Sequence, residues 1–460
     1  MSKAEMQGVV GITADSRAVR PGYLFAALPG VKADGRQFIG EAVARGAIAV
    51  LAPEGTAWPP GVPPRRLITA PDARVKLAEL AVEFFGRLPD RLVAVTGTNG
   101  KTSTVDFLRQ ILTLAGRPAA SIGTLGVIAP GNEPSGSLTT PDPVTLAQTL
   151  AGLAKEGVND VAMEASSHGL DQHRLDGLRF AAAGFTNLTR DHLDYHGSMQ
   201  AYGAAKLRLF EALLKRGGAA RAMADLNPAI LKRLREMAAA HGQNFETVSV
   251  EHLRPRPDGQ LLQVRGITVE LHLPGRFQAD NAALAASLAE AVGVEDALSY
   301  LPHLQGVRGR LERALVLPNG ATAYVDYAHT PDAIARVLSA LRPHATGRLH
   351  IVLGAGGDRD AGKRPLMGAE AAKGADVAIV TDDNPRSEVP ALIRQAILAT
   401  CPGATEIGDR RAAIAAALEG LRGGDVLVVA GKGHEQGQIV QAEMIPFDDA
   451  AVIRELGGAS

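Results

Sequence analysis

A chain of 460 residues, 46% hydrophobic and 21% charged, has too much apolar surface for one ordinary core and too few charges for a disordered polymer; at roughly 100–200 residues per domain it should form two to four domains, and we read three. A formal net charge of -1 gives no basic footprint for a phosphate backbone, so no nucleic-acid partner is expected. The single cysteine, Cys401, excludes an intramolecular disulfide and a cysteine-rich metal site and reads as a small buried hydrophobe.

The first residues, MSKAEMQGVVGITADS, lack a basic region followed by a long apolar run, and no stretch approaches the ~18 uninterrupted apolar residues of a bilayer span. No membrane insertion is expected, and the cytoplasm is the expected compartment. Between about Val9 and Leu80, apolar runs at Tyr23 to Leu28, Ala47 to Ala52 and Arg66 to Thr69 alternate with turns at Pro21-Gly22, Pro29-Gly30 and Pro59 to Pro64, as in a small α/β domain. A helix-like segment, Ala73 to Phe85, then runs toward Pro89, a stop signal that puts a first boundary near Leu88.

From Leu92 the expected order is a strand (Leu92 to Val95), a glycine loop, a helix (Ser103 to Leu114), and strands near Val158 to Met163 and Ala181 to Phe185 with helices between. Such alternation implies a mostly parallel sheet covered on both faces, with ligands at the carboxyl ends of its strands. A second series follows Gly309: strands at Ala323 to Asp326, His350 to Leu353, Val377 to Thr381 and Val426 to Val429, separated by helices at Lys363 to Lys373, Pro390 to Ala399 and Arg410 to Leu421. The expected fold is therefore α/β with three domains: a small N-terminal α/β domain (1–88), a central P-loop-type mostly parallel sheet (89–308) and a C-terminal Rossmann-like domain (309–460). No short-period repeat or low-complexity tract interrupts them.

The strongest chemical signal is Val93-Ala94-Val95-Thr96-Gly97-Thr98-Asn99-Gly100-Lys101-Thr102, a buried strand entering a Gly-rich turn that opens an amphipathic helix. The amide groups of such a turn cradle phosphate oxygens, while Lys101 reaches the outer phosphates and the Thr102 hydroxyl is placed for Mg²⁺. The common G-x-x-x-x-G-K-T form would need its first glycine at Val95, so this loop departs from it. Downstream, Met163-Glu164-Ala165-Ser166-Ser167-His168 and Thr186-Asn187-Leu188-Thr189-Arg190-Asp191-His192-Leu193-Asp194-Tyr195-His196 end two further strands on the same sheet edge. A carboxylate and an imidazole there could hold the divalent ions that bridge nucleotide phosphates; either could equally be a structural hydrogen-bonding group. His192 and His196 lack an HExxH pattern, and no zinc site is expected.

With Gly97-Thr98-Asn99-Gly100-Lys101-Thr102, Glu164 to Leu170 and Thr186 to Gly197, the chain resembles the Mur ligases, ATP-dependent amide-bond ligases whose loop is this shorter G-T-N-G-K-T. The resemblance covers the whole chain. It implies ATP contacts at Gly97, Thr98, Asn99, Gly100, Lys101, Thr102 and Ser103. It also implies one Mg²⁺ at Thr102 and Glu164, and a second at His192 and a carbamylated lysine matched by Lys206. By itself Lys206 reads as a helix lysine on a solvated face; carbamylation would turn its amine into an oxygen-rich anion suited to a hard cation.

Other matches imply the remaining contacts. Asp15-Ser16-Arg17, Pro21 to Phe25 and Asp34-Gly35-Arg36 resemble a uridine-nucleotide domain, with Ser16 as a contact; Thr139, Thr140, Ser166, Gln172 and Arg174 fall at sugar-peptide positions. Asn281, Arg310, Asp326 and His329 look like further ATP contacts. Asp383-Asn384-Pro385-Arg386, with Arg359, Gly431 and Glu435, matches diaminopimelate-adding members of the family. The chemistry agrees: a planar guanidinium at Arg386 can hold the second carboxylate that distinguishes meso-diaminopimelate from lysine, and Glu435 can receive the ammonium beside it. Gly354-Ala355-Gly356-Gly357-Asp358-Arg359 has Arg359 where a dinucleotide loop needs its third glycine, so NAD is not expected.

The implied reaction activates a D-glutamate γ-carboxylate of UDP-N-acetylmuramoyl-L-alanyl-D-glutamate with ATP and couples it to meso-diaminopimelate, with Lys101, Glu164, His192, Lys206 and Arg310 as the catalytic set and two Mg²⁺ ions. A monomer is expected. The alternatives are the same reaction with L-lysine, a folylpolyglutamate synthetase, and a nucleotide-binding switch that uses only the phosphate loop. Arg386 argues against the first, Asp15-Ser16-Arg17 against the second, and the unused Lys206, Thr139 to Asp142 and Asp383 to Arg386 against the third.

Overall fold

A computed structural model describes residues 5–30, 33–135, 138–256 and 259–458; the first four residues of the N-terminal stretch read above lie outside them. The chain forms two compact units, Met1–Val248 with Leu284–Glu295, and Ser249–Ala283 with Asp296–Ser460.

The first unit begins with a four-stranded parallel sheet of Gly11–Thr13, Tyr23–Ala26, Ala49–Pro53 and Arg66–Ala70, in that order. Alternate residues face opposite ways along a strand. Leu24, Ala26 and Leu51 accordingly join one core with Leu77 and Leu80, while Phe25 and Val50 join another with Ile39 and Val43. The helix Ala73–Phe85 starts where Asp72 accepts from the amides of Arg74 and Val75 and stops at Gly86, whose φ is 82°; the expected bounds hold to the residue.

An eight-stranded sheet follows, ordered Asn244–Val248, Leu214–Met223, Phe180–Phe185, Arg91–Thr96, Asp160–Glu164, Ala119–Gly123, Gly126–Ala129, Asn132–Ser135. All neighbours are parallel except the last two pairs. Arg91–Thr96 lies between Asp160–Glu164 and Phe180–Phe185, with Val95 opposite Glu164 and Thr96 opposite Phe185. This register brings Gly97, Ala165 and Thr186 off the sheet side by side. The strand Leu214–Met223 was not anticipated: its sequence, LKRGGAARAM, has no β-branched residue, and it is a strand because Phe180–Phe185 and Asn244–Val248 pair it on both sides.

In the second unit a six-stranded sheet runs Glu312–Val316, Thr322–Asp326, Val426–Ala430, Leu349–Leu353, Val377–Val380, Thr405–Glu406; only the first pair is antiparallel. Helices Pro331–Leu341 and Lys363–Gly374 contribute Leu338 and Met367 to one face; Arg410–Glu419 and Asp449–Leu456 contribute Ile414 and Ile453 to the other. An antiparallel sheet of His252–Arg256, Gly259–Val264 and Ile267–Leu271 and a hairpin of Gly437–Val440 with Glu443–Pro446 complete it. Among the described residues, no helix is long and apolar enough to cross a membrane.

Candidate active site

The phosphate loop is shaped by the neighbouring strand end. Gly97 has a φ of 144°, and a Cβ there would collide with Thr186 Oγ1; Gly100, at φ 84°, opens the helix Lys101–Leu114 in a left-handed conformation that glycine alone adopts without strain. Asn187 grips the loop from the side: its Oδ1 accepts from Asn99 N at 2.9 Å and its Nδ2 donates to Asn99 O at 3.1 Å. Thr186 Oγ1 donates to Asn99 O at 2.6 Å, and Thr98 and Thr189 exchange bonds through the Thr98 hydroxyl. Lys101 Nζ donates to the carbonyls of Gly97 and Thr98 at 3.0 and 2.8 Å. Thr102 and Ser103 are buried in the first turn, where free amides and the helix dipole favour an anion.

Lys206 is not on a solvated face: it is 1% exposed. It sits near the end of the helix Met199–Arg208, its Nζ donates to Gly97 O at 2.8 Å and lies 4.4 Å from the centre of the Tyr202 ring. Burial, reinforced by the nearby Lys101 charge, pushes its pKa down to about 6, so the amine is largely neutral at neutral pH. Burial pushes the Tyr202 phenol up to about 12, and its OH bonds to Thr98 Oγ1 at 3.2 Å. The exposed His192, at φ 51°, places its ring 6.2 Å from Tyr202 and 4.8 Å from His168.

Glu164 lies beside the loop, 1% exposed. Its carboxylate accepts from the Thr124 amide at 2.7 Å and hydroxyl at 3.3 Å, and the absence of a side chain at Gly123 makes room for it. Thr124 Oγ1 is 3.1 Å from Thr139 Oγ1. Thr140 Oγ1 donates to Glu164 O and accepts from Ser166 N, both at 3.0 Å; Arg174 donates to Thr140 O at 2.6 Å and to Gln172 Oε1. Thr139, Thr140, Glu164, Ser166, Gln172 and Arg174 thus form one hydrogen-bonded group. Ser16 stands apart in the N-terminal sheet region, donating to Glu41 at 3.2 Å.

These donors suit a hard divalent cation. A buried carboxylate and a threonine hydroxyl in the first turn after the loop offer oxygen, and a buried amine that is neutral near pH 7 offers a nitrogen to which CO₂ can add, losing a proton and giving a carbamate with two oxygens. Among the described residues no three His, Cys, Asp or Glu groups form an all-protein metal cage.

The second unit holds the other expected residues. Arg310 lies 4.8 Å from the Tyr327 ring centre, its backbone carbonyl accepting from Gln278 at 2.9 Å. Both oxygens of Asp326 are engaged, by the amides of Ala328 at 2.8 Å and Leu311 at 2.7 Å; burial raises its pKa to about 6 against the pull of Arg310. His329 bonds to Tyr327 O at 2.8 Å, and burial holds its pKa low. Asn281 is buried on the helix Arg276–Ala291.

Asp383-Asn384-Pro385-Arg386 faces two loops. Arg386, at φ 51°, donates from Nη1 to Gly357 O at 2.8 Å, and Gly357 N donates to Asn384 O at 2.9 Å. Gly431 has a φ of 116°, and a Cβ there would come within 2.6 Å of Asp383 Oδ2. Asn384 Nδ2 donates to Glu435 Oε2 at 2.9 Å. Arg359 is exposed on the loop that carries Gly357. Sequence reasoning missed Thr124 and Tyr202, and gave Asn187 no separate role; burial and loop contacts, which no motif spells out, are what distinguish them.

Three segments match known families: residues 8–82 the "Mur ligase family, catalytic domain", 95–289 the "Mur ligase middle domain" and 309–433 the "Mur ligase, glutamate ligase domain". A protein of Caulobacter vibrioides named UDP-N-acetylmuramoyl-L-alanyl-D-glutamate--2,6-diaminopimelate ligase is 55% identical, over 96% of this chain and 94% of its own length. One of the same name from Rhizobium meliloti is 52% identical over 97% and 94%. A solved structure with that name aligns over 98% of this chain and 95% of its own, at 34% identity and a TM-score of 0.74. At 19% identity, a MurF ligase from Thermotoga maritima in complex with ADP shares the fold, with a TM-score of 0.64. With relatives more than half identical across nearly its whole length, and all three segments matched in order, the chain belongs to the Mur ligase family.

Proposed function

We propose that this ATP-dependent ligase joins meso-diaminopimelate to the D-glutamate γ-carboxylate of UDP-N-acetylmuramoyl-L-alanyl-D-glutamate, forming ADP and phosphate in peptidoglycan precursor synthesis. Relatives at 50–55% identity carry that activity in their names. The observation that carries the choice of amino acid is the pairing of opposite charges around one segment: Arg386 for a carboxylate, Glu435 for an ammonium, both tied to Asn384 or the loop it holds.

The γ-carboxylate oxygen attacks the γ-phosphorus, the bond to the ADP oxygen breaks, and an acyl phosphate forms. Lys101, Arg310 and the loop amides between Gly97 and Ser103 neutralise and position the phosphates; Asn281, Asp326 and His329 complete the nucleotide contacts. The diaminopimelate amine then attacks the acyl carbon, phosphate leaves, and the nitrogen gives up a proton to leave the neutral amide. Thr102 and Glu164 would hold one Mg²⁺, and His192 with a carbamate on Lys206 a second; bound there, the ions would offset phosphate charge. The depressed pKa of Lys206 supports carbamylation, because CO₂ reacts with the neutral amine.

Ser16, Thr139, Thr140, Ser166, Gln172 and Arg174 take the uridine-nucleotide substrate. Arg359, Asp383, Asn384, Pro385, Arg386, Gly431 and Glu435 take diaminopimelate. Domain limits of 1–88, 89–308 and 309–460, a monomeric state and a cytoplasmic location belong to the same proposal. The test is amide formation with diaminopimelate and L-lysine in parallel, for wild type and Arg386→Ala. Turnover with diaminopimelate alone, lost in the variant, is expected; equal or better use of lysine overturns the choice of amino acid, and no amide with either overturns the reaction.

A further inference from the structure

Lys432 is fully buried between the strand Val426–Ala430 and the hairpin strand Gly437–Val440. Its ammonium donates to Asn384 Oδ1 and Gly437 O, both at 2.8 Å, and lies 3.4 Å from Asp383 Oδ1 and 3.8 Å from Glu435 Oε2. The amide of Ile439 donates to the same Asn384 oxygen at 2.9 Å. Two donors meeting on one side-chain atom require that atom to be the carbonyl oxygen, since the amide nitrogen has no lone pair to offer. The other end of the Asn384 amide is therefore the NH₂, and it faces Glu435 Oε2.

We propose that Lys432 is a positioning residue for the incoming amino acid: by fixing the Asn384 amide it holds the Glu435 carboxylate where the ammonium of the amino acid's distal stereocentre is received. The inference rests on the substrate reading above. A purely structural role would need only the bond to Gly437; the Asn384 and Glu435 contacts extend it to the half-buried carboxylate. Burial lowers the Lys432 pKa, the Asp383 and Glu435 carboxylates pull it up, and the Arg410 charge adds to the lowering.

Lys432→Met keeps the length of the side chain and removes its donors. Asn384 is then held at one point, its amide can turn, and Glu435 loses its fixed donor. We expect KM for diaminopimelate to rise about tenfold or more, with KM for ATP and kcat within about threefold. With 2-aminopimelate, which keeps the distal carboxylate but lacks the distal ammonium, wild type and variant should be alike. Asn384→Ala should show the same selective loss, and the double variant should be no worse than Asn384→Ala alone, as for two residues acting through one contact.

Wild-type turnover of diaminopimelate with an unchanged KM in folded Lys432→Met overturns this inference alone, as does an equal loss for 2-aminopimelate and ATP. If Lys432→Met fails to fold, Asn384→Ala decides: an unchanged KM for diaminopimelate overturns the proposal. A wild-type protein that makes no amide from diaminopimelate overturns the substrate reading itself.

Discussion

Lys206 donates to the carbonyl oxygen of Gly97 at 2.8 Å, so the amine of one helix rests on the first glycine of the phosphate loop. A lysine with a pKa near 6 in the folded chain and 10.5 when exposed links stability to pH. Between those values the unfolded chain holds a proton that the folded chain has released, so stability rises with pH across that interval; below about 6 both states are charged and the cost of burial is felt in full. Lys206→Met has no such cost. In CO₂-free buffer the variant should exceed wild type in urea midpoint most clearly below pH about 6, with the gap closing toward pH 10. A gap independent of pH would contradict a buried, neutralised lysine. On the proposed carbamylation of Lys206, the same variant should also lose ligase activity.

Asn187 is the side chain that holds the loop in shape, binding both the N–H and the C=O of Asn99. Asn187→Ala removes both bonds at once and leaves the loop backbone to re-form around water. The expected result is a rise of about tenfold or more in KM for ATP, at a stability cost of about 1–3 kcal/mol. Nucleotide titration and thermal melting measure the two separately. Unchanged ATP binding would mean that Thr186 and Thr98 hold the loop alone.

The loop, its flanking strand and helix, and the two strands beside it were legible because a Gly-Lys-Thr turn and short apolar runs are local features. The strand Leu214–Met223 was not, since its residues are poor strand formers and only its neighbours make it one. The antiparallel sheet around Gly259–Val264 was equally silent. For the site, the family resemblance named Lys206, but by itself a helix lysine reads as solvated; what buries it is Tyr202 and the Gly97 turn, more than a hundred residues away in the case of Gly97. Lys432 carried no signal beyond a Gly-Lys-Gly turn, because its role depends on Asn384, which tertiary packing brings to it.

Gly431 is an exacting position. Its φ of 116° disfavours any side chain, and a Cβ would press on the Asp383 carboxylate. Gly431→Ala should cost about 1–3 kcal/mol through backbone strain and displace Asp383. Diaminopimelate should bind more weakly while ATP binding is retained, as isothermal titration with each ligand would show. Retained diaminopimelate affinity would separate Asp383 from the amino-acid site.

Arg410 and Asp449 form an ion pair with both side chains fully out of solvent, through two bonds of 2.7 Å. The guanidinium also donates to Ala430 O at 3.0 Å and Asp382 O at 3.4 Å, the carbonyls just before Gly431 and Asp383. Breaking such a pair from one side leaves a buried charge alone, so Arg410→Met or Asp449→Leu should each cost about 3–5 kcal/mol in chemical denaturation. Replacing both together removes the charges as a pair, and the double variant should recover most of that loss, because desolvating two ions offsets much of their attraction. Its fold would then be intact, but Ala430 and Asp382 would have lost the donor that ties their strand ends together. A double variant stable to urea yet weakened toward diaminopimelate is therefore the expected outcome. One with full stability and wild-type amino-acid affinity would show that the pair holds only the fold and does not set the positions of Gly431 and Asp383.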